Sequence, residues 1–315
     1  MTSIITYGDF IYKTDKNNEI CINGIEKKYR FTIFFKSDNR KIKLRIPSKI
    51  DGKFVRYIDS EAFKFCTEIK SVKIPNSVIG IGSSAFDDCS SLKKNYIPSS
   101  VVYIGGGIFS RCSNLEKVKI LNKKYETINK ILFNKKEKSV ISCFSDKTYI
   151  SIPLGIKKIE CRAFSFCDLL KSVTIPSSVV IIEHAAFWGC SSLENIEIPN
   201  SITNIPISLF MLCDSLRNIS IPDSITNIDE YAFLGCESIT NIIIPNSVTK
   251  IGDGAFAYCK SLTSIVLPDS LVSIGEQVFE GCPSLTIQCN PGSYAEQYCK
   301  ENNLKYFTTP DWLLD

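Results

Sequence analysis

The side chains best suited to chemistry are fourteen cysteines and a single histidine, His184. One histidine excludes a Cys2His2 zinc site and leaves one candidate for any catalytic triad. No two cysteines form Cys-x-x-Cys, so no tetrahedral thiolate site is announced. Neither Gly-x-Ser-x-Gly nor a phosphate-binding P-loop occurs. His184 stands just before Ala185-Ala186-Phe187 and reads as a turn or surface residue. Nucleophilic, metal and phosphate-cradling chemistry therefore lack an anchor, and the expectation is a non-enzymatic protein with no cofactor and no metal site.

The spacing of the cysteines says what they do instead. Nine of them (66, 89, 112, 167, 190, 213, 236, 259 and 282) each close a Phe-x-x-Cys, and they recur every 23 residues within two runs. Prolines keep the same step at 75 and 98 and again from 153 to 291. The unit reads F-x-x-C-x-x-L-x-x-[IV]-x-I-P-x-S-[VI]-x-x-I. Self-similarity at this period marks a stacked repeat rather than the two globular domains that length alone suggests. In Leu193-Glu-Asn-Ile196-Glu-Ile198 the apolar residues alternate, as a strand with one buried face requires. Pro199 cannot donate to a ladder and ends the strand, and the Ser201 hydroxyl is expected to bond local backbone in the turn. The Ala-Phe before each cysteine suits a tight turn whose ring plugs the gap between coils. The nine cysteines then form an interior row of small, inert thiols. Cys21, Cys143, Cys161, Cys289 and Cys299 lie off that row and are the candidates for a bridge or a reactive thiol.

Ile244-Pro245-Asn-Ser247-Val248-Thr-Lys-Ile251-Gly252-Asp-Gly-Ala255-Phe256-Ala-Tyr-Cys259 closely resembles the BspA-like, Treponema-type leucine-rich repeat, and nine units agree with it. The resemblance implies a β-rich leucine-rich-repeat solenoid, in the α/β class by convention. It has one parallel strand per 23-residue coil, short 3₁₀ or helical turns, a hairpin insertion and a C-terminal capping helix. It also implies a protein-binding or adhesion module at a cell surface or secreted, with no catalytic hallmark. Against that placement, the start Met1-Thr-Ser-Ile-Ile-Thr lacks a signal-peptide pattern, and a row of unpaired cysteines favours a cytoplasmic interaction scaffold. Both localisations stay open. No apolar run approaches the ~20 residues of a transmembrane helix.

Three segments are expected: an N-terminal β cap at 1–45, the solenoid at 46–291, and a C-terminal cap at 292–315. Phe10/Tyr12 and Ile20/Ile22 alternate around a polar turn, which predicts a capping hairpin. The step from Pro47 to Pro75 is 28, read as a longer loop around Asp51-Gly52-Lys53. An irregular coil at about 121–152 lacks Phe-x-x-Cys, and its apolar runs on either side of Asn134–Lys138 predict a hairpin. Near Ser293–Asn302, Tyr294, Ala295, Tyr298 and Cys299 fall on one helical face.

What remains for function is the outward side of the strands, where stacking aligns two rows. The first is Ser71, Lys94, Lys117, Ser172, Asn195, Asn218, Asn241 and Ser264. The second is Lys73, Tyr96, Lys119, Thr174, Glu197, Ser220, Ile243 and Val266. The partner-binding face is expected at Lys73, Lys94, Tyr96, Lys117, Lys119, Asn195, Glu197, Asn218, Asn241, Ile243 and Val266. The net charge of +4 hides a split: residues 1–138 hold 27 Lys+Arg against 14 Asp+Glu. A protein partner is expected on this face, with a polyanion or acidic surface at its basic N-terminal half. No specific nucleic-acid motif is present.

Overall fold

The computed structural model describes residues 4–5, 10–14, 17, 19–25 and 42–308. The chain is a parallel β-solenoid of coils about 23 residues long, with one short helix near its C-terminus. It forms two compact units: Met1–Asp146 with Ile159–Cys167, and Lys147–Lys158 with Asp168–Asp315.

Each coil follows from its repeat. In Asn195–Glu197 the outer residues are exposed and Ile196 is buried, with Ile198 buried beyond them. Pro199 then opens a four-residue turn in which the Ile202 N–H donates to the Pro199 carbonyl at 3.0 Å. The serine of this turn works differently from the sequence expectation. Ser224 Oγ donates to the Ile202 carbonyl and Ser270 Oγ to the Val248 carbonyl, both at 2.6 Å, so the hydroxyl ties one coil to the preceding one rather than to its own turn.

The Phe-x-x-Cys corner is a set of isolated i→i+3 turns. The N–H groups of Tyr231, Phe233 and Gly235 bond carbonyls of Asp253, Ala255 and Ala257 on the next coil. The intervening N–H groups of Ala232, Leu234 and Cys236 close turns within their own coil. Alternating these two directions requires a left-handed residue on each side of the phenylalanine. All nine corners have one two residues before and one two residues after it, from Glu61 (φ 59) and Phe65 (φ 62) to Gln277 (φ 54) and Gly281 (φ 70). Left-handed backbone favours glycine, yet most of these residues are not glycine. At Gly281 a side chain is also excluded by space, because a Cβ there would meet the Tyr258 ring at 2.6 Å.

The rings pack as a column in each unit. Phe63–Phe86 and Phe86–Phe109 are stacked at 5.4 and 6.1 Å, and Phe187, Phe210, Phe233, Phe256 and Phe279 follow one another at 5.2–6.0 Å. Two rings meet these columns edge-on: Phe144 against Phe109 (77°) and Tyr298 against Phe279 (70°). Beside the rings run the cysteines. The thiols of Cys89, Cys112, Cys213, Cys236, Cys259 and Cys282 donate to the phenylalanine carbonyl of the preceding coil at 3.1–3.3 Å. Small size and one weak donor are what this position uses.

The irregular segments have simple causes. The region around Asp51 is a tight hairpin rather than a loop: Lys49–Ile50 pairs antiparallel with Lys53–Ile58 through left-handed Asp51 and Gly52. In the irregular coil, Ile131–Asn134 and Ser139–Cys143 form the expected hairpin, and Tyr125–Ile128 adds a third antiparallel strand. Cys143, read as off the cysteine row, supplies the carbonyl that Cys167 Sγ approaches at 3.9 Å, so this hairpin stands in for a corner. At the N-terminus Phe10–Thr14 and Ile20–Ile25 pair antiparallel; Asp15, Lys16 and Asn18 of their turn lie outside the described residues. The helix Tyr294–Glu301 is capped by Ser293 and buries Ala295, Tyr298 and Cys299, whereas Tyr294 is exposed and does not join that face. In the first unit Asp87 is 3 % exposed and receives two bonds of 3.2 Å from Arg111, whose guanidinium lies over Phe166.

Candidate functional site

Strand pairing places the outward side chains in two rows within each unit. In the first unit Ser71 pairs with Lys94 and Lys94 with Lys117, while Lys73 pairs with Tyr96 and Tyr96 with Lys119. The rows begin one strand earlier than the sequence reading placed them. Lys43 pairs with Ser71 and Arg45 with Lys73. The signal was available, because Lys43 and Arg45 stand at the same offsets from Pro47 as Ser71 and Lys73 do from Pro75.

In the second unit Ser172, Asn195 and Asn218 are aligned, and the Asn218 Nδ2 donates to Asn195 Oδ1 at 2.8 Å. Glu197 is opposite Ser220. Asn241 pairs with Ser264 and Ile243 with Val266, and Thr286 and Gln288 continue those rows. Tyr149, opposite Ser172 and 69 % exposed, starts the face and was not among the expected residues. Lys171 and Glu194 flank it at 2.8 Å; their hydrogen bond holds the ammonium above and the carboxyl below its ordinary value.

The strand ladder of the second unit is interrupted once. Tyr149–Ser151, Ser172–Thr174, Asn195–Glu197 and Asn218–Ser220 form one sheet, and Asn241–Ile243 starts another. Across this break the opposite side stays paired through Asn204–Ile205, Asn227–Ile228, Lys250–Ile251 and Ser273–Ile274; its own interruption lies earlier, between Ile181–Ile182 and Asn204–Ile205. At the break Ser247 Oγ is buried without a hydrogen-bond partner, as Ser77 and Ser100 are at the same repeat position in the first unit, whereas Ser224 and Ser270 reach the preceding coil. Ile219, inward by its spacing, is only partly covered. The result is a groove of about 930 Å³ lined by Ile219, Ile243, Val266 and Leu267, with Asp223, Asp269 and Asn290 on its polar side. Ile243 is 71 % exposed at its mouth. Nothing in the repeat pattern marks this break: Arg217-Asn-Ile-Ser-Ile-Pro222 and Thr240-Asn-Ile-Ile-Ile-Pro245 both obey it.

The chemistry of the remaining candidates is quiet. His184 is exposed in its corner. All fourteen cysteines are thiols, and burial pushes Cys89, Cys213 and Cys236 well above the ordinary thiol range. Of the five off-row cysteines only Cys161 is part-exposed. Among the described residues no three His, Cys, Asp or Glu side chains gather as metal ligands, and no helix is long and apolar enough to cross a membrane.

A stack of 23-residue coils that presents a strand face defines a leucine-rich-repeat solenoid. The chain belongs to the BspA type leucine rich repeat family, whose repeat region matches residues 32–151, 137–259 and 227–313. Solved structures repeat the fold. A leucine rich cell surface protein from Faecalibacterium prausnitzii is 25 % identical with a TM-score of 0.56, over 93 % of this chain and 96 % of that one. A leucine-rich repeat protein from Eubacterium ventriosum is 21 % identical with a TM-score of 0.55, over 87 % and 93 %. The pneumococcal vaccine antigen PcpA is 15 % identical with a TM-score of 0.55, over 98 % and 99 %. No curated protein matches the chain in sequence. The family is a repeat family and carries no catalytic assignment.

Proposed function

We propose that the chain is a protein-binding module and that its partner docks on the strand face of the second unit, seating an apolar side chain in the groove beside Ile243. The observation that carries this reading is the interrupted ladder. It turns an otherwise closed strand face into a cleft with an apolar floor, and an exposed apolar patch with a polar rim is the surface signature of a docking site. Asp223 and Asp269 on the rim favour a partner with basic residues beside its apolar anchor. Recognition at a cell surface is the finer reading, motivated by the likeness to the F. prausnitzii cell surface protein.

Selection of a displayed peptide library on the whole chain tests the site. Enriched peptides should pair an apolar residue with Lys or Arg, and Ile243→Asp should weaken them at least tenfold while Thr174→Asp leaves them unchanged. Peptides that bind Ile243→Asp as well as the parent chain would place the docking surface elsewhere.

A further inference from the structure

A second surface, independent of the groove, lies on the strand face of the first unit. Four of its five strands, Ile42–Arg45, Ile69–Lys73, Lys94–Ile97 and Lys117–Ile120, present Lys43, Ser71, Lys94 and Lys117 in one row and Arg45, Lys73, Tyr96 and Lys119 in the next. Six of these eight side chains are cationic. A third row starts with Lys70 and Lys93, joined by a backbone bond of 3.2 Å, and these two with Ser91 and Asn114 line a pocket of about 200 Å³. Glu116 follows Lys93 in that row and ends the basic strip.

Among the described residues none of these eight cations is paired with a carboxylate. The second unit treats the position of Lys93 differently, setting Lys171 on Glu194. Cations on neighbouring strands sit ~4.8 Å apart along the stack and ~7 Å apart along a strand. They repel one another, so a bound polyanion gains attraction and relieves that repulsion together. The strip is narrow along the strands and long across them, which suits a linear chain laid along the stack.

We infer that this face binds a linear sulfated polysaccharide. Seven of the eight cations are lysines, which read anionic charge as point charges rather than through planar bidentate geometry. Tyr96 is the single aromatic side chain in the two rows, whereas single-stranded nucleic acid is held on successive stacking platforms. The rows contain no exposed aliphatic anchor of the kind that dominates protein–protein binding. What they offer is charge at a regular spacing.

The test is binding of the whole chain to a fluorescent heparin octasaccharide at 50 and 200 mM NaCl, against desulfated octasaccharide, an oligothymidylate and poly-glutamate of matched charge. The sulfated glycan should bind tightest and weaken at least tenfold between the two salt concentrations. Lys73→Ser/Lys94→Ser/Lys117→Ser/Lys119→Ser should cost at least tenfold with unchanged circular dichroism. Lys250→Ser/Lys260→Ser and Ile243→Asp should cost less than twofold, which separates this surface from the groove. Equal binding by the quadruple variant, or tighter binding of the oligonucleotide or the acidic peptide than of the glycan, overturns the inference.

Discussion

Interior thiols make the fold sensitive to alkali in a way that can be counted. Burial pushes the thiols of Cys213, Cys236 and Cys259 far above the ordinary value of 9.0, and each also donates to a carbonyl of the preceding coil. A group whose pKa is raised by folding contributes its full stability below the unfolded value and loses it as pH climbs toward the folded one. The window therefore opens near pH 9. At pH 10.5 each such thiol favours the unfolded chain by about 2 kcal/mol, so the three together cost about 6 kcal/mol. That is a large part of the ~5–15 kcal/mol that holds a domain folded. Urea unfolding followed by tryptophan fluorescence suits the experiment, because Trp188 lies in the second unit. Cys213→Ala/Cys236→Ala/Cys259→Ala should be less stable than the parent at pH 7.5 by about 1 kcal/mol per lost S–H bond. The two stability curves should then converge and cross between about pH 9.5 and 10.5. A constant gap between them from pH 7.5 to 10.5 would refute the placement of these thiols in a closed interior.

Three further outcomes are expected. Phe233→Ala removes a ring stacked at 5.5 and 5.2 Å on its two neighbours and should cost ~3–5 kcal/mol in urea unfolding; a loss under about 1 kcal/mol would contradict its burial. Ser208 sits at φ 54, so Ser208→Val should cost about 1–2 kcal/mol while Ser208→Gly is neutral or stabilising, as thermal unfolding of the two variants would read. Arg111→Ala leaves the buried Asp87 carboxylate with Lys64 alone, 3.9 Å away, and should cost about 2–3 kcal/mol, with Asp87→Ala/Arg111→Ala costing less than the two single changes summed.

The coil was legible because its determinants are local and repeated. Proline, serine, phenylalanine and cysteine each recur at one offset, and period-two alternation places Lys94 and Tyr96 outward without reference to any distant contact. The third strand of the irregular coil was not legible. Tyr125–Ile128 turns into Ile131–Asn134 through Asn129 and Lys130, both left-handed at φ 51 and 60, and a lysine in such a turn carries none of the usual Asn-Gly signal. The serine hydroxyls were misplaced because sequence proximity suggests a local acceptor, while stacking brings a carbonyl 22 residues away within 2.6 Å. The groove was hidden for a different reason. A break between two strands that both obey the repeat is a property of their spacing, and spacing between coils is decided by the whole stack.

The edge-on ring beyond Phe279 bears on self-association. A ring stacked face to face on its neighbour leaves its outer face equivalent to the one just covered, so an open column could accept the first coil of another molecule and then another. Such head-to-tail contacts do not close on themselves and grow as filaments. Tyr298 stands at 70° to Phe279, 6.5 Å away, and is carried by a helix, while the strand ladder runs one strand further to Tyr306–Thr308. The register that builds the ring column ends there, so at this corner a second molecule would meet no matching ring face.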